Sequence, residues 1–225
     1  MTSANGTDGD RKTVTIDVVA DVVCPWCFVG RKRLEEALAQ ATDIDAEIRW
    51  RPFQLDATIP KGGISRKDYM ERKFGPDRAE SMHQRLEEVG YEVGIPFAFD
   101  KIERSPNTLD AHRLLHWAQT VGTQDAVDEE LFRGYFVEGK DIGDPDVLAD
   151  IASRHGLDRE VVKRLLAGNA DEAEVQSEIE AAQRIGVTGV PFFIFNGRLA
   201  VSGAQPAEVL VSAMRQATQE PEAQE

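Results

Sequence analysis

A chain of 225 residues, 41% hydrophobic and 29% charged, is long enough for one well-filled core and has an ordinary globular composition. Its 40 acidic residues outweigh 26 Lys and Arg, and the formal net charge of −14 excludes nucleic acid and anionic lipid as partners, because both need a positive field. No stretch approaches the roughly 18 apolar residues of a membrane span, and the polar start from Met1 to Lys12 lacks the apolar run of a secretory signal, so a cytoplasmic location is expected.

Val14 to Ala20 predicts a strand, with Val14, Ile16, Val18 and Ala20 at period two, running through Asp21-Val22-Val23 into a cysteine pair. After Pro25 the period becomes helical, with Leu34 and Leu38 beside Ala37 and Ala41. The basic run Arg31-Lys32-Arg33 is short and is answered on the same stretch by Glu35 and Glu36. Ile48, Trp50 and Phe53 then mark a second strand, which opens a βαβ unit and calls for a partly parallel sheet.

From Gly62 to Gly168 the signals are helical. Ser65 with Asp68 resembles a capping box, and Met82, Leu86 and Val89 form a stripe closed by Gly90. Ser105-Pro106 reads as a cap with proline at the first helical position, opening a helix through Leu109 and Leu115 to Gly122. Val127, Leu131 and Tyr135 form another stripe, and Asp144-Pro145 and Asp158 open two more helices ending near Gly156 and Gly168. The segment reads as an all-helical insert. Val175, Ile179 and Ala182 mark a helix stopped by Gly186. Phe192 to Phe195 and Arg198 to Val201 flank Asn196-Gly197 as a hairpin, and Gln205-Pro206 opens a last helix through Val209 and Met214.

Only two cysteines occur, Cys24 and Cys27. Closing so small a ring removes little loop entropy, so the pair suits chemistry better than architecture. Disulfide exchange needs a thiolate to attack and a second thiol to release the mixed disulfide. A cysteine at a helix N-terminus has its thiolate favoured by unpaired N–H groups and the helix dipole, and Pro25 suits a first helical position that needs no N–H. Cys24 is therefore expected to be the nucleophile, Cys27 one turn on the resolving thiol, and Trp26 a flat apolar surface for substrate. No second pair completes a zinc site, and His112 and His116 lie too far along the chain for a finger spacing, so they read as helix-face residues and no metal is expected. Thr188-Gly189-Val190-Pro191-Phe192 precedes the hairpin, where a proline without a ladder N–H fits a strand start or a cis turn.

Asp21-Val22-Val23-Cys24-Pro25-Trp26-Cys27, Ser105-Pro106-Asn107-Thr108 and Thr188-Gly189-Val190-Pro191-Phe192-Phe193 together resemble the DsbA-like thioredoxin superfamily, specifically its FrnE-like branch. The resemblance implies an α/β thioredoxin-like fold with an all-helical insertion domain. Its first part would be 13–61, the helical insertion 62–168 and the second part 169–217, with flexible tails at 1–12 and 218–225. It also implies that Pro191 is cis and faces Cys24, and that the Val190 backbone offers hydrogen bonds to a bound thiol or peptide. Related 2-hydroxychromene-2-carboxylate isomerases and kappa-class glutathione transferases share the layout but commonly carry a serine or a single reactive residue at the position of Cys24. Asn107 matches a position near their glutathione site.

With both cysteines present, the expected function is a thiol–disulfide oxidoreductase working on protein or small-thiol partners through Cys24 and Cys27. No cofactor is expected, with glutathione as a candidate co-substrate. The alternatives are a glutathione-dependent isomerase or transferase and a non-catalytic redox-sensing interaction protein. The extra C-terminal cysteine motif of some FrnE-like members is missing from this sequence.

Overall fold

The computed structural model describes residues 11–219. Its sheet is built around β1 (Lys12–Ala20), where Val14, Ile16 and Val18 are buried at period two. β2 (Ile44–Pro52) pairs with it in parallel, Ile16 facing Ile48, and β5 (Phe192–Phe195) pairs antiparallel on the other edge, Val18 facing Phe193. β6 (Leu199–Ser202) completes the order β2-β1-β5-β6. Parallel neighbours cannot be joined by a tight turn, and α1 (Pro25–Gln40) supplies the crossover.

The sheet is covered on both faces, which explains why β1 ends as an unbroken apolar run. Val14, Ile16 and Val18 belong to the main core with α1 and α9 (Ala207–Ala217), whereas Val19 joins Phe53, Ala182 and Val187 in a second cluster beneath α8 (Glu172–Arg184). The β5–β6 turn needs positive φ at both central residues, and Asn196 (φ 50) and Gly197 (φ 65) provide it. Asn196 does more than turn the chain. Its Oδ1 accepts the Thr15 N–H at 2.8 Å and its Nδ2 donates to the Ala217 carbonyl at 2.9 Å, tying the hairpin to β1 and α9.

Between β2 and α8 run α2 (Arg66–Phe74), α3 (Pro76–Glu92), α4 (Leu109–Thr120), α5 (Gln124–Phe136), α6 (Pro145–Arg154) and α7 (Arg159–Ala167). The Ser65, Asp144 and Asp158 side chains accept from the N–H groups of Asp68, Asp146 and Val161, each cap contributing about 1 kcal/mol. Val127, Leu131 and Tyr135 are fully buried, as their spacing required.

Several details depart from the sequence reading. The segment is not wholly helical, because β3 (Ile64–Ser65) and β4 (Arg104–Ser105) form a short antiparallel ladder. That ladder claims the backbone of Ser105, so Ser105-Pro106 does not open α4. The Asn107 Oδ1 instead accepts the Leu109 N–H at 3.0 Å and the helix starts there. α3 runs two residues beyond Gly90. Lys12, assigned to a tail, is the first residue of β1, and Thr218 caps α9; residues 1–10 and 220–225 of the expected tails lie outside the described residues.

The helical layer is bolted to the cysteine helix in two ways. Phe28 of α1 stacks on Phe132 of α5 with centroids 5.2 Å apart and meets Phe97 edge-on at 6.1 Å, and burying such a ring stabilises by roughly 1.5–3 kcal/mol. Next to it Arg31, 3% exposed, forks onto Asp125 at 2.7 and 3.0 Å and reaches Asp128 at 3.1 Å. Glu35 does pair with Arg31, at 3.1 Å, but α5 supplies the buried partner, Asp128, so the basic run is not merely a solvated patch. Burial alone would lower Arg31; the charges of Asp128, Asp125 and Glu35 outweigh it and hold the guanidinium above its ordinary value. Asp128 is pushed up to about 8 by its burial, with Asp125 and Glu129 adding to the rise against the attraction of Arg31.

Candidate active site

β1 delivers the chain to the mouth of α1, and the cysteine pair sits at that junction. Cys24 is the N-cap residue with extended backbone (φ −90, ψ 112), and Pro25 occupies the first turn. The Asp21 carbonyl accepts the Cys24 N–H at 2.9 Å, and the Cys24 carbonyl accepts the Cys27 N–H at 3.0 Å. One helical turn thus places the two residues on the same side. Both are free thiols, with Cys24 4% and Cys27 0% exposed. Burial pushes the Cys27 thiol well above its usual value, and a hydrogen bond and charge from the adjoining Cys24 add to the rise.

The other wall comes from the far end of the sequence. The Cys24 thiol donates to the Val190 carbonyl at 3.7 Å, and the Val190–Pro191 peptide is cis. The approach of this segment to α1 depends on Gly30, because a Cβ there would lie 2.8 Å from Pro191 Cγ and 3.3 Å from Phe193 Cζ. Pro25 and Trp26 are half-buried, and the Arg85 guanidinium lies 5.8 Å over the Trp26 ring. The structure therefore brings Cys24, Pro25, Trp26, Cys27, Val190 and Pro191 together.

Asn107 is engaged elsewhere. Its Nδ2 donates to the Ile59 carbonyl at 2.6 Å, and its Oδ1 accepts from Gln54 and from Leu109, both at 3.0 Å, so its side chain fastens the loop after β2 to the start of α4. His112 and His116 are also apart from each other in role: His112 Nε2 lies 2.9 Å from the Phe53 carbonyl, and His116 Nδ1 lies 3.5 Å from Glu178. Among the described residues no group of three or more His, Cys, Asp or Glu is arranged to hold a metal.

Two further residues underlie the pair. Asp21, 1% exposed, accepts the Leu55 N–H at 2.7 Å through Oδ2 and faces His112 Nε2 at 3.4 Å through Oδ1. An aspartate closing an apolar strand immediately before the cysteines was the signal for it; nothing local pointed to His112, which arrives from α4. Next to Val23 and Pro25 a cleft of about 100 Å³ opens toward α2 and α3, its walls carrying Arg66, Met70, Met82, His83 and Phe99.

A parallel–antiparallel four-stranded sheet with a Cys-x-x-Cys at the first helix mouth and a cis proline opposite defines a thioredoxin-like thiol protein. The DSBA-like thioredoxin domain model matches residues 15–215, and the chain belongs to that family. An uncharacterized protein of Bacillus subtilis, YwbO, is 28% identical over 203 residues, covering 90% of this chain and 96% of that protein. The crystal structure of a probable DsbA oxidoreductase from Streptomyces coelicolor is 32% identical, with 92% of each chain covered and a TM-score of 0.83. The cytosolic disulfide reductase DsbM from Pseudomonas aeruginosa, solved with GSH, shares the fold at 18% identity and a TM-score of 0.57, covering 91% of this chain and 95% of that one. Among the described residues no helix is long and apolar enough to cross a membrane.

Proposed function

We propose that the chain is a cytoplasmic thiol–disulfide oxidoreductase of the FrnE-like branch, exchanging disulfides with protein or small-thiol substrates through Cys24 and Cys27. The observation that carries the reading is the Cys24 sulfur held between the Val190 carbonyl and the Cys27 thiol at the mouth of α1. The Cys24 thiolate attacks one sulfur of a substrate disulfide, forming a Cys24–substrate disulfide and expelling the other half as a thiolate. Cys27, losing its proton, then attacks the Cys24 sulfur and expels the second half, so two electrons pass to the substrate and the enzyme ends as its disulfide. The reverse sequence oxidises a substrate dithiol, and the relative stability of the two enzyme forms sets the direction. The high proton affinity of Cys27 suits a resolving thiol that stays protonated until the mixed disulfide has formed. Pro25, Trp26, Val190 and Pro191 would flank the bound substrate.

Glutathione is the proposed small-thiol co-substrate, on the strength of the GSH found in the DsbM structure. Asn107 would take part only from behind the site, since its own polar atoms are occupied.

Insulin reduction by the full chain tests the proposal. Cys24→Ser is expected to abolish turnover, and Cys27→Ser to trap a mixed disulfide without turnover. Unchanged activity in Cys24→Ser overturns the reading, and activity surviving Cys27→Ser points instead to a glutathione-dependent isomerase or transferase.

A further inference from the structure

The surface that Trp26 offers beside Cys24 is not purely apolar. The Arg85 guanidinium, carried by α3, lies 5.8 Å over its ring, and Arg85 is exposed. Leu86, 2% exposed, anchors that part of α3 in the core shared with Cys24 and Cys27, so packing fixes where Arg85 starts from. An exposed guanidinium is held only weakly by an indole face, and it can turn to an anion that comes within reach.

Arg85 has no anion of its own. Acidic side chains outnumber Lys and Arg by 40 to 26, and Arg31, Arg51, Arg113, Arg154 and Arg159 all pair with them. Glu87 and Glu88 follow Arg85 on α3, yet among the described residues no carboxylate is in salt-bridge reach of it. Asp21, just ahead of the cysteine pair, is 1% exposed and holds the Leu55 N–H, so it does not answer Arg85 either. The Val190 carbonyl meets the Cys24 sulfur directly. A substrate chain whose sulfur reaches Cys24 therefore carries its flanking residues past the Val190 segment or past Trp26 and Arg85.

We propose that Arg85 is a specificity-determining residue, selecting protein disulfides with an acidic side chain next to the cysteine that Cys24 attacks. This role rests on the disulfide exchange proposed above and gives it a substrate class. The net charge of −14 opposes acidic partners at long range, but physiological salt screens charges beyond roughly 8 Å. A carboxylate that has reached the Arg85 guanidinium is inside that distance. Two opposite unit charges about 6 Å apart in water favour each other by a factor of about three. A cation at this place also favours the Cys24 thiolate, but it does so for every substrate, so only the ratio between substrates reports recognition.

The test uses the reduced full chain and pentapeptides with Glu, Gln or Lys on either side of one cysteine, each activated as its 2-pyridyl disulfide. The Cys24 thiolate attacks the peptide sulfur and releases pyridine-2-thiolate, which takes up a proton and is followed by its absorbance. Cys27 then loses its proton, attacks the Cys24 sulfur and expels the peptide thiolate. At about 0.15 M salt the Glu peptide is expected to react about threefold faster than the Gln peptide and about tenfold faster than the Lys peptide. The Glu-to-Gln ratio is expected to fall to about one in Arg85→Gln, and toward one for the wild type at about 1 M salt. A wild-type ratio of one or below, or a ratio unchanged in Arg85→Gln, would overturn the role of Arg85 while leaving the exchange chemistry standing. If none of the three peptides reacts, disulfide exchange itself fails, and the substrate class with it.

Discussion

Replacing Asp128 with asparagine reverses the usual expectation that losing a buried ion-pair partner harms a protein, and it does so in a pH-dependent way. Burial, ahead of the opposing pull of Arg31, pushes the Asp128 carboxyl up to about 8. In the unfolded chain an aspartate titrates near ~4. Between those values the folded state holds a proton that the unfolded state has released. The stability from this group is therefore complete below the unfolded value and is lost as pH rises toward the folded one. The slope is at most about 1.4 kcal/mol per pH unit. Asparagine keeps the shape and an acceptor oxygen for the Arg31 nitrogen now 3.1 Å from Asp128, but it does not titrate. Asp128→Asn should therefore gain on the wild type by roughly 2–3 kcal/mol between pH 5 and pH 7. Urea unfolding of both proteins at pH 5, 6 and 7 measures the gap. His83, held below its ordinary value by burial and by Arg66, is present in both proteins, so it drops out of the difference. A gap that is the same at pH 5 and pH 7 refutes the reasoning.

Two other substitutions probe how the site is held. Gly30→Ala places a methyl 2.8 Å from Pro191 Cγ and should cost about 1–3 kcal/mol. It should also move the Val190 carbonyl away from Cys24, so insulin turnover is expected to fall along with the thermal midpoint; wild-type values in both assays would contradict the close approach. Asn196→Ala removes the bonds to Thr15 and Ala217 and puts alanine at φ 50, a loss of about 3 kcal/mol in urea unfolding. A loss below about 0.5 kcal/mol would show the hairpin to be independent of those ties.

Features fixed by near neighbours in the chain are legible in the sequence. The period-two run into Cys24, the proline opening α1, the Asp144 and Asp158 caps and the Asn-Gly turn are each set by neighbours a few residues away, and local rules reach that far. The ladder of β3 with β4 escaped because two residues make no period. Ser105-Pro106 looked like a cap until that ladder claimed it. Local spacing pairs Arg31 with Glu35, four residues on, whereas its partners Asp125 and the buried Asp128 come from a helix that only tertiary packing brings near. The same holds for His112 meeting Asp21 and for Arg66 and His83 sharing one cleft wall. Charged residues carry no periodic signature of their own, so their burial is invisible until the elements are assembled.

The pairing of β1 has a consequence for the chain as it is made. Both thiols and every helix through α8 leave the ribosome before β5, the strand that occupies the second edge of β1 and follows the residues facing Cys24. A translation product cut short after α8 would expose a bare apolar strand edge next to two uncovered cysteines, a template for clumping and for unselective cross-linking. The wall that faces Cys24 thus exists only once the Val190 segment and β5 have been made, and chains interrupted before them are the ones most in need of prompt disposal.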